Sequence, residues 1–268
     1  MNQTVLKPMC YQWSPNQAWD RIIETDRLNR LEFYAKQDMV HLSQLEQHNL
    51  KCAIVGGAPS VHKYIHEIDA IRRKPGLVMS ITGAHKWLID QGCPPTIHVL
   101  FEIDMDKFED ATGSPPHRSV YYYVCSHYDP KVYEALNGFK RVLWHHYDDD
   151  PEYQGHIHRL FPGEFMVSGG YVTFFRCMNI ALILGFRHFE IFGCDCSFET
   201  NSHIDGYPTV AKEPEMKVAA GTKNDYRMFK TNPSLSFLAK EFMEFCKVHQ
   251  AGLRIKVHGD GMLRHLHQ

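Results

Sequence analysis

The sequence predicts an α/β protein built on a doubly wound, mostly parallel sheet. Short apolar runs alternate with segments whose apolar residues recur at helical spacing. Four glycines, Gly92, Gly138, Gly185 and Gly252, each follow a helical stretch and closely precede a strand-like run. Helices commonly end with glycine in the left-handed conformation at such junctions. Several strand-like runs are nearly all apolar, as expected of strands covered on both faces. Right-handed crossovers then wind the helices onto both faces of one sheet.

The first predicted element is a long helix from about Pro15 to His48, opened by the capping pattern Ser14-Pro15-Asn16-Gln17. It sets residues 1–50 apart as a helical extension, with one domain over 51–268. The strand KCAIV follows, then a glycine turn and a helix in which Val61, Tyr64, Ile65, Ile68 and Ile71 share a face. LVMSIT is the second strand and AHKWLIDQ a short helix. TIHVLFEI, SVYYYVC and KRVLWHH are three further strands, with the helix DPKVYEALN before the last. YVTFFRCMNIALIL is a strongly apolar helix and HFEIFG the next strand. The polar stretch from about Cys194 to Asn232 reads as a loop or lid over a site. PSLSFLAKEFMEFCKVHQ and LRIKV close the fold as helix and strand.

Composition removes several function classes. The 268 residues carry 29 basic and 31 acidic side chains, without a run of Lys or Arg, which argues against a nucleic-acid binder. No apolar stretch approaches the ~20 residues of a membrane span, and the first residues lack the basic and apolar regions of a secretory signal. The eight cysteines are scattered and form no CxxC pair, so free thiols in a cytoplasmic protein are expected. The eighteen histidines include the close pairs His145-His146, His156-x-His158 and His265-x-His267. None has helical i, i+4 spacing with an acidic partner, so they are read as non-ligand histidines.

In open α/β sheets, ligands bind beyond the carboxyl ends of the strands. The first strand is followed by Gly56-Gly57-Ala58-Pro59-Ser60, where two glycines admit close backbone approach and the helix start favours phosphate. An ordinary tight turn accounts for the same residues equally well. The turn fits neither the dinucleotide fingerprint nor the Walker A loop. Thr82 ends the second strand, and Glu102, Asp104 and Asp106 follow the third. A second glycine turn, Ser168-Gly169-Gly170, opens the apolar helix. Two such turns in one sheet favour a phosphate-bearing ligand. Asp195, at a strand end, can bind a hydroxyl, a metal or a proton, and His203 nearby can act as general acid or base.

The glycine turn VGGAPS, the segment SGGYVTFFRCMNIALILGFRHFEIFGCDCSF and the histidine of SHIDGY together resemble the MptE-like 6-hydroxymethylpterin diphosphokinase family. That family is related to motility-associated factor glycosyltransferases and is similar to single-domain sialyltransferases. The resemblance runs from about Cys52 to Met262 and departs from the usual Gly-Pro-Ser turn at Ala58. It implies a Rossmann-like domain in which Gly56, Gly57, Pro59, Ser60, Thr82, Ser168, Gly169 and Gly170 hold a nucleotide donor, either ATP or a nucleotide-sugar. It further implies Mg²⁺ on Asp104 and Asp195, with Glu102 as the substitute for Asp104, and catalysis by His203 and Asp195. The function so implied is transfer of pyrophosphate from ATP to a pterin-like alcohol. Sialyltransferase-like glycosyl transfer to a small-molecule acceptor and non-catalytic nucleotide binding are the alternatives, and self-association is left open.

Overall fold

The structure, a computed structural model, describes residues 24–101, 107–148, 150–169, 172–205, 213–222, 225–249 and 251–267. In chain order its strands are β1 (Val40–His41), β2 (His48–Val55), β3 (Leu77–Ile81), β4 (Ile97–Leu100), β5 (Tyr121–Cys125), β6 (Lys140–His146), β7 (Met166–Val167), β8 (Phe186–Phe192), β9 (Met216–Gly221), β10 (Tyr226–Thr231) and β11 (Arg254–Val257). The helices are α1 (Glu24–Tyr34), α2 (Ile65–Arg73), α3 (Ala84–Asp90), α4 (Phe108–Thr112), α5 (Pro130–Ala135), α6 (Pro151–Leu160), α7 (Thr173–Ile183), α8 (Pro233–His249) and α9 (Met262–Leu266). A 3-10 helix over Pro59–Tyr64 leads into α2.

Among the described residues, nine strands form one sheet in the order β1-β6-β5-β4-β3-β2-β8-β11, with β7 also paired to β6. Every pairing in it is parallel. The doubly wound sheet expected from the alternating pattern is therefore present. From β2 the chain steps outward through β3, β4, β5 and β6, then returns to place β8 and β11 on the opposite side of β2. The crossovers thus reverse direction between β2 and β8, the place where such sheets open a crevice.

Alternation along the strands shows why both faces are covered. Cys52 and Ile54 of β2 join one buried cluster with Met79, Phe174, Met178, Ala239 and Phe242, beneath α7 and α8. Their neighbours Ala53 and Val55 point to the other face, against Val61, Ile68 and Trp87. Further along that face, Tyr122 and Val124 meet Leu31, Tyr34 and Ile157. α7 packs across β2, β3, β4 and β8, so nearly its whole circumference is apolar. Asp129 caps α5 and Asp150 caps α6, each accepting the backbone N–H two residues on, with a proline at the first helical position.

Two expectations are corrected. The described part of the long N-terminal helix ends at Tyr34, where the Gln37 side-chain amide donates to the Phe33 carbonyl. Val40–His41 instead pairs with β6, and His48 begins β2. An unsatisfied sheet edge offered these residues backbone partners, and tertiary pairing overrode helical propensity. Residues 15–23 lie outside the described residues. The second correction concerns the polar stretch 194–232, which contains an antiparallel hairpin, β9–β10. Seven cysteines are free, and Cys10 lies outside the described residues. No described helix is long and apolar enough to cross a membrane.

Candidate functional site

At the reversal point, β2 and β8 end in glycines that touch. A Cβ on Gly56 would lie 2.5 Å from the Gly193 carbonyl oxygen and 2.7 Å from Cys194 Sγ, and one on Gly193 would press on the Gly56 oxygen. Gly193 has φ 62°, and the Ala58 amide donates to its carbonyl at 2.9 Å. Gly56 therefore has a structural duty to its neighbouring strand, whatever it offers a ligand. Gly57 is buried, and its carbonyl accepts from Ile204 at 2.8 Å.

Ser60, in the 3-10 helix, donates to Asp195 Oδ1 at 2.6 Å. Asp195 is nearly buried and packed against the loop after β11: a Cβ on Gly259 would meet Asp195 Oδ1, and one on Gly261 its Cα and Cβ. Burial pushes the Asp195 carboxyl above the usual aspartate range, and the bond from Ser60 only partly offsets this. The ends of β2, β8 and β11 thus converge on one carboxylate.

That carboxylate lines a cleft of about 640 Å³. Its wall carries Lys63 and, from the β9–β10 hairpin, Lys217, Arg227 and Lys230. Asp260 faces the same cleft and pairs with Lys63 at 3.4 Å. Lys230 pairs with Glu215 at 2.9 Å, while the Arg227 guanidinium stands 4.9 Å over the Phe229 ring. Sequence reasoning missed these hairpin cations, because single basic residues in a polar stretch carry no pattern. Three carboxylates (Asp195, Glu199 and Asp260) and four cations around one cleft can hold a polyphosphate together with a divalent ion.

The other predicted residues are placed as follows. Thr82 follows β3 on the same edge, buried, with φ 42°. A β-branched residue in the left-handed region is strained, and such strain persists where the surroundings fix it. Cys196, just after β8, shares this conformation at φ 55°. Ser168 and Gly169 precede α7, whose position between β7 and β8 puts its N-terminus at the carboxyl edge. Gly169 has φ 139° and lies against the first turn of α7, where a Cβ would be 3.0 Å from the Arg176 amide nitrogen. Gly170, Glu102, Asp104 and Asp106 lie outside the described residues. His203 is not among the residues lining the cleft. Its Nδ1 is 2.9 Å from Ser202 Oγ, and burial draws its pKa below the usual histidine value.

A parallel sheet with helices on both faces, reversing beside a charged cleft at its carboxyl edge, defines a Rossmann-like domain. The chain belongs to the 6-hydroxymethylpterin diphosphokinase MptE-like family, whose model matches residues 26–201. The match takes in α1, which the motif resemblance did not cover, and ends two residues before His203. Among solved structures, the chain is similar to the MAf glycosyltransferase from Magnetospirillum magneticum AMB-1, with 16% identity and a TM-score of 0.65. That likeness covers 88% of this chain and 36% of the other, so this chain spans little more than a third of that protein's length. No match was found among curated proteins. The family's name and the neighbour's name are both those of transferases.

Proposed function

We propose that the protein is a transferase that takes a nucleotide-type donor in the cleft beyond β2 and β8. The observation that carries this reading is the ring of Lys63, Lys217, Arg227 and Lys230 around Ser60 and Asp195. Ammonium and guanidinium groups stabilise phosphate oxygens, most strongly as charge develops on them. The strain at Thr82 on the same edge supports it.

The first reaction is pyrophosphoryl transfer from ATP to a pterin-like alcohol, supported by the family's description. Mg²⁺ supplies charge neutralisation for that chemistry. Asp195 and Asp260, facing one cleft, fit a shared cation, and Asp104 is the further carboxylate that the resemblance offers. Asp195 Oδ1 is committed to Ser60, which leaves Oδ2 for the ion. Burial lowers the pKa of His203 and so favours its neutral form, the form that can accept the acceptor's proton. Asp195 orients the donor.

The second reaction is glycosyl transfer from a nucleotide-sugar, supported by the glycosyltransferase named in the structural likeness. Thermal-shift and calorimetric titration with ATP, CTP, CMP, UDP and their sugar conjugates, with Mg²⁺ or excess EDTA, separates the two. Mg²⁺-dependent ATP binding and turnover support pyrophosphoryl transfer. Full activity with a nucleotide-sugar in EDTA rejects it, and failure of every donor to bind rejects the transferase reading.

A further inference from the structure

Away from that cleft, three metal-ligating side chains converge at the ends of β5 and β6. Cys125 closes β5, His127 follows two residues later, and His146 closes β6. All three are buried. His127 Nδ1 lies 2.9 Å from His146 Nδ1, and Cys125 Sγ is 3.3 Å from the first nitrogen and 3.7 Å from the second.

The outer nitrogens of the two rings face oxygen acceptors. His127 Nε2 is 2.8 Å from the Phe101 carbonyl oxygen, which only accepts, so Nε2 carries the proton. His146 Nε2 lies 3.6 Å from the Asp148 carboxylate, and Asp148 is fixed by Arg27 at 2.6 Å. The two Nδ1 atoms face each other across 2.9 Å, with the Cys125 thiol and the Tyr153 hydroxyl beside them. Two ring nitrogens and a thiol sulfur, all within 4.8 Å of one another and turned toward one buried point, form a ligand set for a cation. A carbonyl or a carboxylate on the far nitrogen is also how metal-bound imidazoles are oriented.

The spacing suits a tetrahedral ion. With bonds of ~2.05 Å to nitrogen and ~2.3 Å to sulfur, tetrahedral ligands stand about 3.3 Å apart for two nitrogens and about 3.6 Å for nitrogen and sulfur. We propose that Cys125, His127 and His146 bind a borderline divalent cation of the Zn²⁺ type, with Cys125 as thiolate. The fourth place points to the Tyr153 hydroxyl of α6, 3.4 Å from His146 Nδ1. The ion joins β5, β6 and α6, and its role is structural, since none of its three ligands lines the charged cleft.

The second acidic–histidine group serves as a contrast. Glu164 reaches His41 at 2.5 Å and His145 at 2.8 Å, one carboxylate oxygen to each ring, and His145 Nδ1 has Ser126 Oγ at 2.9 Å. There the carboxylate stands between the two rings, and no pair of ring nitrogens meets face to face.

The test is metal analysis and visible absorption of the full chain, produced in minimal medium with Zn²⁺ or with Co²⁺ as a spectroscopic substitute. About one ion per chain is expected, and the Co²⁺ form should show intense tetrahedral ligand-field bands and a thiolate charge-transfer band. Cys125→Ser, nearly isosteric, should abolish the charge-transfer band, and His146→Ala should lower metal content at least tenfold. Folded protein without metal would overturn the proposal in favour of a proton shared between the two rings. Bound Co²⁺ lacking a thiolate band, or a band unchanged in Cys125→Ser, would overturn it too. The unsubstituted chain decides the matter even where a variant fails to fold.

Discussion

The carbonyl oxygens of Gly56 and Gly193 each occupy the place where the other residue's side chain would begin. The close approach of β2 and β8 at the reversal point depends on both. Gly56→Ala should therefore destabilise the protein by about 1–3 kcal/mol, the usual consequence of overpacking. Urea denaturation monitored by far-UV circular dichroism measures it, and unchanged stability would show that the strands can separate without loss.

Glu190 of β8 should be a second anchor. It accepts from Lys51 of β2 and from His258 after β11, both at 2.6 Å. Burial alone would raise its pKa, but the Lys51 and His258 bonds outweigh this, and the carboxyl lies below the usual glutamate range. A lowered acid contributes stability above its unfolded pKa, lost as pH falls through the folded value. Glu190→Gln should cost about 1–3 kcal/mol at neutral pH and flatten the acid limb of the stability curve. Denaturation midpoints from pH 7 down to pH 3 test this, and an unchanged acid limb would remove Glu190 from that role.

Asp195 should behave in the opposite way. Its raised pKa means the folded state disfavours the ionised form, so stability falls as pH rises from the unfolded pKa to the folded one. Asp195→Asn keeps an oxygen for Ser60 and removes that loss. Stability at neutral pH should hold or rise, while Mg²⁺-dependent donor turnover drops by about 10²-fold or more. A variant that loses stability and keeps activity would make Asp195 purely architectural.

The hairpin cations should control donor affinity without touching the core. Lys217 and Arg227 are exposed on β9 and β10. Charge reversal of both, to glutamate, should weaken donor binding at least tenfold with the melting temperature nearly unchanged. Calorimetric titration at two salt concentrations checks it. The native protein should lose affinity in salt and the variant much less, so equal salt slopes would count against phosphate recognition by the hairpin.

His203→Ala should lower kcat far more than it weakens donor binding, by about 10²–10⁴-fold. Because burial draws the pKa of His203 down, the acid limb of the rate profile should fall below the free histidine value of ~6.5. Equal losses in kcat and binding would make it a binding residue.

The main sheet was legible because its strands are local apolar runs separated by glycines. Gly92, Gly138 and Gly185 all adopt positive φ at the predicted junctions. The Asp-Pro start of α5 was readable, yet the same start at Asp150-Pro151 opens α6, which the alternating pattern alone did not reveal. β1 was unreadable because two residues gain strand geometry only from the edge of β6. The carboxyl edge was legible as a row of polar strand ends, but not the assignment of partners within it. Ser60 and Asp195 are 135 residues apart and meet only because β2 and β8 are neighbours. The Cys125–His127–His146 group escaped a search for i, i+4 histidine pairs, because its geometry comes from adjacent strand ends rather than from one helix.

The two borders of the large sheet are guarded by different means. On one side, among the described residues, β6 is met only by β1 and β7, each two residues long, so that border is broken into pieces too short to template another strand. On the other side β11 presents the exposed residues Arg254 and Lys256. A second copy aligning there would bring like charges together, a recognised defence against strand addition. The domain can keep a long, strongly apolar parallel sheet without inviting fibrillar growth. Any self-association should therefore run through its helices or its hairpin rather than by extending the sheet.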